Sequence, residues 1–197
     1  GLGDVYKRQA YLNPALTIIY EDKRGPEVEH IVYHEEEGII GFVKDLNKKN
    51  EVLHDVVYFK GEQDGITVEA AFQYTNEFHE NILGFCNNIF NAEGGTHITG
   101  FKTVFTTVIN SYARELGILK EKDSNFTGAD VRNGMTAIVS IKHPDPRFEG
   151  QTKTKLDNQD AAKAVAKVTG EEIVRFFDRN LETLKSRRIR NSCRFLR

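Results

Sequence analysis

A chain of 197 residues that is 39% hydrophobic fits one domain with a substantial core, and its net charge of −2 argues against a protein that binds polyanions over its whole surface. The two cysteines, Cys86 and Cys193, offer neither a disulfide framework nor a C-x-x-C metal site, and they fit a reducing compartment. No apolar run approaches the length of a membrane span and no signal peptide is visible, so we expect a cytoplasmic protein that has no membrane partner.

The two ends of the chain differ from the part between them. Residues 1–9 (GLGDVYKRQ) share no pattern with the rest of the chain, and residue 1 is not a methionine. We interpret them as a non-native leader and leave them outside the predicted fold. The stretch from Lys185 to Arg197 carries six basic residues and no acid. It is either a helix suited to phosphate backbones, or a helix end that favours cations or a frayed terminus.

The pattern between the two ends is rich in predicted strands. A β-rich run on either side of a glycine-containing turn predicts a hairpin, and strict apolar–polar alternation predicts a half-buried strand. Strands are therefore predicted at residues 16–21, 28–34, 55–60, 66–74 and 81–89, the last ending near Asn87 and Asn88. Apolar residues on one helical face predict a helix over residues 38–47.

Helices become more prominent in the second half. Thr96 is the predicted N-cap of a helix that ends at Gly117, and residues 127–134 are predicted to form a short helical turn. Residues 135–141 alternate as a strand, and Asn158 or Asp157 can cap a long helix from about Gln159. The resulting order, β-β-α-β-β-β-α-β-α, predicts one mixed layer domain with helices on one face of the sheet.

A polar loop precedes the long helix. Pro144 and Pro146 exclude a helix there, and residues 150–156 (GQTKTKL) come directly after that segment. An amide and two ammonium groups thus lie between two rigid elements, where lysine can bind a phosphate as a point charge. The alternative is a solvated polar turn, because exposed lysines are ordinary on protein surfaces.

Other candidate sites are weaker. Gly94 and Gly95 before a helix could hold an anion on backbone amides or could serve only as a turn, and neither a Walker sequence nor G-x-G-x-x-G occurs. His97 is better explained as a capping or packing residue than as a metal ligand. Asp130 and Arg132 could form a local surface ion pair. Spacing by itself therefore provides a loop suited to phosphate, but no general base, no metal site and no complete nucleotide pocket.

Five ordered segments together resemble one protein family. They are residues 64–74 (DGITVEAAFQY), 80–88 (ENILGFCNN), 94–101 (GGTHITGF), 127–134 (TGADVRNG) and 144–156 (PDPRFEGQTKTKL). They are similar to the second, or transducer, domain of the ATPase subunit of bacterial type IIA DNA topoisomerases. The similarity is strongest to the DNA gyrase B family, and the topoisomerase IV homologue is the alternative. The resemblance assigns residues 10–185 to this domain and residues 186–197 to a basic tail that is partly non-native.

The resemblance implies a fold and a set of site residues. The fold would be α+β, a mixed sheet with helices packed on one face, a long C-terminal helix and a left-handed βαβ crossover, against the usual right-handed rule. The Gln-Thr-Lys motif of the family corresponds to Gln151, Thr152 and Lys153. In the family this loop enters the nucleotide pocket of the preceding ATPase domain. Lys153 would be the catalytic residue on the γ-phosphate, and Gln151 would help to bind the nucleotide.

The resemblance also implies cofactors and partners. The whole protein would be an ATP-hydrolysing isomerase that couples ATP binding and hydrolysis to DNA strand passage. ATP would be bound mainly by the ATPase domain outside this chain, and Mg²⁺ would be required only in the full-length enzyme. The partners would be DNA, a second copy of the same polypeptide upon ATP binding, and a DNA-cleaving protein like gyrase A. We expect residues 1–197 alone to be inactive.

Two other functional hypotheses remain open. The chain could be a DNA-contacting module without a nucleotide role, which the basic tail from Lys185 would support. It could also be a small-molecule kinase on a related fold, but such an enzyme needs its own glycine-rich phosphate loop. Gly94 and Gly95 are too little for that purpose.

Overall fold

The computed structural model describes residues 2–185, with the side chains of residues 3–179, so the basic tail from residue 186 lies outside the described residues. The helices are α1 (Leu2–Leu12), α2 (Ile39–Leu46), α3 (Thr96–Glu115), α4 (Gly128–Arg132) and α5 (Gln159–Lys185). The strands are β1 (Ile18–Asp22), β2 (Glu29–Tyr33), β3 (Val57–Gln63), β4 (Ile66–Tyr74), β5 (Asn81–Cys86), β6 (Ile89–Asn91), β7 (Met135–Lys142), β8 (Phe148–Glu149) and β9 (Lys155–Leu156). None of the helices found between residues 2 and 185 has the length and apolar character that a bilayer crossing requires.

The central feature is a five-stranded sheet in the order β3-β4-β7-β5-β6. β5 and β7 run parallel, whereas the other neighbouring pairs are antiparallel. The predicted α+β class, the mixed sheet and the long C-terminal helix are therefore confirmed. β5 and β7 are the pair that the predicted left-handed crossover would join, and its handedness stays a prediction.

The main core lies between this sheet and the helices α3 and α5. β4 contributes alternate side chains, because successive residues of a strand point to opposite faces. Helix α3 covers them with Phe101 and Phe105, and Phe105 meets Phe72 edge to face at 5.1 Å between ring centroids. Each such side chain contributes roughly 1.5–3 kcal/mol on burial. The β4 residues in this layer are Ile66, Val68, Ala70, Phe72 and Tyr74.

Helices also cover the opposite face of the sheet, so the prediction of helices on one face only is wrong in this respect. Ala71, Phe85 and Ile138 point away from the main core and are buried beneath α1 and α2. Tyr11 of α1 stacks on Phe42 of α2 with ring centroids 4.9 Å apart. Because this second face of the sheet is apolar, helices must also shield it from water. Most of α1 lies in residues 1–9, which are outside the predicted fold.

A second difference concerns residues 81–89. The strand ends where it was predicted to end, because Asn87 and Asn88 have φ values of 51° and 63°. Asparagine tolerates this left-handed region better than most residues, and two such residues in a row form a tight hairpin turn. The chain therefore reverses into β6, a three-residue strand that was not predicted separately.

Candidate functional site

Residues 150–154, here called the lysine loop, connect the short strands β8 and β9. These strands pair Phe148 with Leu156 and Glu149 with Lys155, so the loop begins and ends at a fixed antiparallel base. Lys153 has a φ of 56°, in the left-handed region that costs a residue with a side chain about 1–2 kcal/mol. Contacts with the rest of the domain must therefore stabilise this backbone conformation.

The side chains of Gln151 and Lys153 are exposed at the end of the loop. In the part of the chain whose side chains are described, no hydrogen bond or ion pair engages the Gln151 amide or the Lys153 ammonium group. Lys155 differs, because its Nζ lies 3.0 Å from Glu149 Oε2 and the hydrogen bond to that carboxylate raises the pKa of Lys155. Gln151 and Lys153 are thus exposed to solvent, whereas Lys155 forms an ion pair with Glu149 on the neighbouring strand.

The turn between β6 and α3 holds the far side of the lysine loop. We call this turn, residues 91–95, the corner segment. Its Glu93 N–H donates to the Thr154 carbonyl at 2.9 Å, and the Asn91 side chain donates from Nδ2 to the Lys153 carbonyl at 2.8 Å. Two consecutive carbonyl groups of the loop are therefore fixed by a neighbouring element.

The glycine pair of the corner segment packs against the chain that leaves the loop. The Leu156 N–H donates to the Gly94 carbonyl at 3.1 Å, and the Gly94 N–H is itself bonded to the Asn91 carbonyl at 2.9 Å. A Cβ atom at Gly95 would lie 2.5 Å from the Leu156 nitrogen, so only glycine fits there. These contacts favour the turn explanation of Gly94 and Gly95 over the anion-binding one.

Gly95 is also the residue that precedes α3, and the predicted N-cap at Thr96 is therefore wrong. Thr96 is the first residue of the helix, and the capping position has no side-chain hydrogen bond. The reason is steric, because the backbone of Leu156 occupies the space that a capping side chain would need.

Two polar side chains hold the base of the loop. Asn158 accepts from the Arg147 N–H at 2.6 Å and donates to the Asp145 carbonyl at 3.1 Å, so its amide holds the segment before the loop to the start of α5. His143 lies at the end of β7, and its Nε2 is 3.0 Å from Asp160 Oδ1 in the first turn of α5. This hydrogen bond lowers the pKa of Asp160. Both ends of the loop are thus attached to rigid elements.

The remaining sequence candidates do not join this site. His97 is fully buried, which lowers its pKa to about 4, and no described residue bonds either ring nitrogen. The predicted ion pair between Asp130 and Arg132 is wrong. Asp130 forms a capping box with Thr127, whereas Arg132 Nε lies 2.5 Å from Glu80 Oε2. No group of three or more metal-binding side chains occurs among the described residues.

Sequence reasoning missed Asn91, which contacts the lysine loop across 62 positions of the chain. No periodicity or spacing connects two residues so far apart. The adjacent glycines were the one local signal of a close backbone approach.

Comparison with known sequences gives consistent results. The profile of the family described as DNA gyrase B matches residues 38–192. The DNA gyrase B protein of Enterococcus faecalis is 48% identical over 172 residues, which are 87% of this chain and 27% of that protein. Its counterpart from Bacillus mycoides is also 48% identical, over 87% of this chain and 42% of its own length. This chain therefore spans 27% and 42% of the lengths of these two relatives.

Solved structures show the same architecture. The 43K ATPase domain of Thermus thermophilus gyrase B, in complex with an aminocoumarin, matches with a TM-score of 0.80 and 30% identity. The match covers 98% of this chain and 52% of that one. The topoisomerase IV ATP-binding domain of Francisella tularensis matches with a TM-score of 0.77 at 22% identity, over 99% of this chain and 51% of that one, which shows a shared fold alone.

Proposed function

This chain belongs to the DNA gyrase B family, and we propose that it is the domain that couples ATP binding and hydrolysis in a neighbouring domain to DNA strand passage. The observation that supports this proposal best is the contrast between the side chain and the backbone of Lys153. Its ammonium group is exposed and without a described partner, while its backbone is held by the corner segment. A free cation on a fixed backbone is what contact with an external phosphate requires.

The proposed chemistry is electrostatic. Lys153 Nζ would donate to the terminal phosphate of a nucleotide held mainly by another domain, and the Gln151 amide would donate beside it. ATP, with Mg²⁺, would supply the phosphoryl group whose loss changes the local charge. A lysine that contacts this group stabilises developing charge and loses its partner after hydrolysis.

The attachment of the loop suggests how its movement would reach the rest of the protein. The segment before the loop leads back to β7, and the segment after it leads into α5. Helix α5 has 27 residues and is thus about 40 Å long. A displaced loop would therefore carry the start of α5 with it, through the Asn158 contacts with Asp145 and Arg147. For the whole protein we propose that the partners are DNA, a second copy of the same polypeptide, and a DNA-cleaving protein.

The test is a lysine-to-alanine substitution in the full-length protein that carries this chain. Lys153→Ala is expected to lower ATP turnover by about a hundredfold or more, and with it ATP-dependent strand passage. Lys155→Ala is the matched control, because that lysine is two positions away and is paired with Glu149. Wild-type turnover in Lys153→Ala would refute the proposed role of the loop.

The alternative function, a DNA-contacting module without a nucleotide role, depends on the basic tail from Lys185 to Arg197, of which residues 186–197 lie outside the described residues. It predicts DNA binding by this chain that weakens steeply with salt and is lost on deletion of that tail. Salt-insensitive binding, or no binding, would contradict it.

A further inference from the structure

Asn91 is the one described residue outside the lysine loop whose side chain bonds that loop. Its Nδ2 donates to the Lys153 carbonyl at 2.8 Å, and the residue is 2% exposed. The sheet fixes the backbone of Asn91, because Asn91 is the last residue of β6 and pairs with Gly84 of β5. The sheet therefore provides a rigid point of attachment for the backbone at Lys153.

The orientation of the Asn91 amide follows from its partner. A carbonyl oxygen can only accept, so the NH₂ group must face Lys153 and the amide oxygen must face inward. That oxygen is buried and has no hydrogen-bond partner among the described residues. A buried polar atom without a partner destabilises the fold, and a polar side chain in such surroundings calls for a functional explanation.

We propose that Asn91 is a positioning residue for the lysine that contacts the terminal phosphate, an inference that rests on the function proposed above. The amide holds the carbonyl of Lys153, while the Glu93 N–H holds that of Thr154. Together they keep Lys153 at a φ of 56°, a conformation that a residue with a side chain leaves when it is free to do so. This backbone conformation sets the direction in which the ammonium group extends.

The first test measures the backbone of Lys153 in this chain and does not depend on any activity. The Cα and Cβ chemical shifts of Lys153 report the left-handed conformation and are compared between the wild type and Asn91→Asp. The comparison is made above about pH 8, where the aspartate is ionised despite its burial. The carboxylate then cannot donate to the carbonyl and repels it, so we expect the left-handed shifts to be lost. Unchanged shifts in Asn91→Asp would overturn the inference.

Asn110→Asp provides the matched control. Asn110 is also buried. Its Nδ2 donates at 3.0 Å to two carbonyls, that of Thr106 in α3 and that of Phe126 just before α4. Its substitution removes a comparable buried amide away from the loop and is expected to leave the Lys153 shifts unchanged. Should Asn91→Asp fail to fold, Asn91→Ser gives the same comparison. The serine side chain is too short for its hydroxyl to make the hydrogen bond that Asn91 Nδ2 makes to the Lys153 carbonyl at 2.8 Å.

The second test measures ATP turnover in the full-length protein. Asn91→Asp is expected to lower kcat about tenfold while the KM for ATP stays within about twofold, because the nucleotide is bound mainly elsewhere. Asn110→Asp is expected to change neither constant below its unfolding temperature. An unchanged kcat in Asn91→Asp beside an inactive Lys153→Ala would overturn this inference and leave the proposed function intact. Wild-type turnover in Lys153→Ala would instead refute the proposed function, and the chemical shifts would still decide whether Asn91 positions the loop.

Discussion

The backbone of Leu156 passes so close to Gly95 that a Cβ atom at position 95 would lie 2.5 Å from the Leu156 nitrogen. The two residues form a parallel bridge, which joins the chain leaving the lysine loop to the residue that precedes α3. Because real Cβ atoms do not approach a backbone so closely, this contact exists only with glycine at position 95. The lysine loop is therefore fixed against the corner segment by steric fit as well as by hydrogen bonds.

Gly95→Ala is the first prediction. The new methyl group must displace β9, and the φ of 138° at this position is unfavourable for alanine, so we expect a loss of about 2 kcal/mol or more in the free energy of unfolding. Urea unfolding followed by circular dichroism measures this loss. Gly65→Ala is the control, since Gly65 also has a positive φ but has nothing within 4 Å of its Cβ position, and only about 1 kcal/mol should be lost. Equal losses at the two positions would contradict the steric explanation.

Lys153→Gly tests whether the loop stores backbone strain. Glycine adopts the φ of 56° at Lys153 without the steric cost of a side chain, and the exposed lysine forms no described ion pair. We expect the free energy of unfolding to rise by up to about 1 kcal/mol, while ATP turnover of the full-length protein is lost. Lys155→Gly should instead destabilise the chain, because Lys155 lies in β9 and is paired with Glu149. A destabilised Lys153→Gly variant would show that the lysine side chain contributes to the fold.

The charge cluster of Glu80, Lys102 and Arg132 provides the third prediction. Lys102 Nζ and Arg132 Nε each lie 2.5 Å from a Glu80 oxygen. Partial burial raises the pKa of Glu80, but the hydrogen bonds from Lys102 and Arg132 outweigh this effect and lower it. Glu80→Ala leaves two partly buried cations without their acid, and we expect a loss of about 1–3 kcal/mol in unfolding experiments.

An exposed ion pair serves as the comparison. Lys23 pairs with Glu21 at 3.0 Å, and its side chain is 70% exposed. Lys23→Ala should change the free energy of unfolding by less than about 0.5 kcal/mol, because solvent screens such pairs. A Glu80→Ala variant as stable as Lys23→Ala would mean that the cluster contributes no more than a surface pair.

The fourth prediction concerns pH. Burial lowers the pKa of His97 to about 4, whereas an unfolded histidine titrates near pH 6.5. The unfolded chain thus binds the proton first as the pH falls, so the stability due to neutral His97 is fully present above about pH 6.5 and is lost between there and about pH 4. From pH 7 to pH 5 this loss amounts to about 2 kcal/mol.

His97→Leu isolates that contribution. Between pH 7 and pH 5 the free energy of unfolding, measured with urea, should fall by about 2 kcal/mol less in the variant than in the wild type. Carboxylates with lowered pKa values, such as Glu80 and Asp160, also destabilise the fold in acid, but they are common to both proteins and cancel in the difference. Identical pH profiles would mean that His97 is protonated in the folded state near its ordinary pKa.

Much of the fold was predictable because local patterns report which side of an element is buried. The alternation over residues 66–74 and the helical spacing over residues 38–47 predicted β4 and α2. Pro144 and Pro146 placed the lysine loop between β7 and α5, since proline excludes a helix there whatever the rest of the fold. Gly95 and its neighbour marked the corner segment without indicating what approaches it.

The amino-acid sequence by itself determined the longer strands and helices between residues 16 and 185, the position of the lysine loop and, through its motifs, the family, but not α1, β6, β8 or β9. Only the tertiary structure decided that Asn91 bonds Lys153, that Arg132 pairs with Glu80 and that α1 covers the second face of the sheet. The physical reason is range. Periodicity and turn chemistry act over a few neighbouring residues, whereas these contacts join residues far apart in the chain, and such contacts exist only after the sheet has brought its strands and connecting turns together.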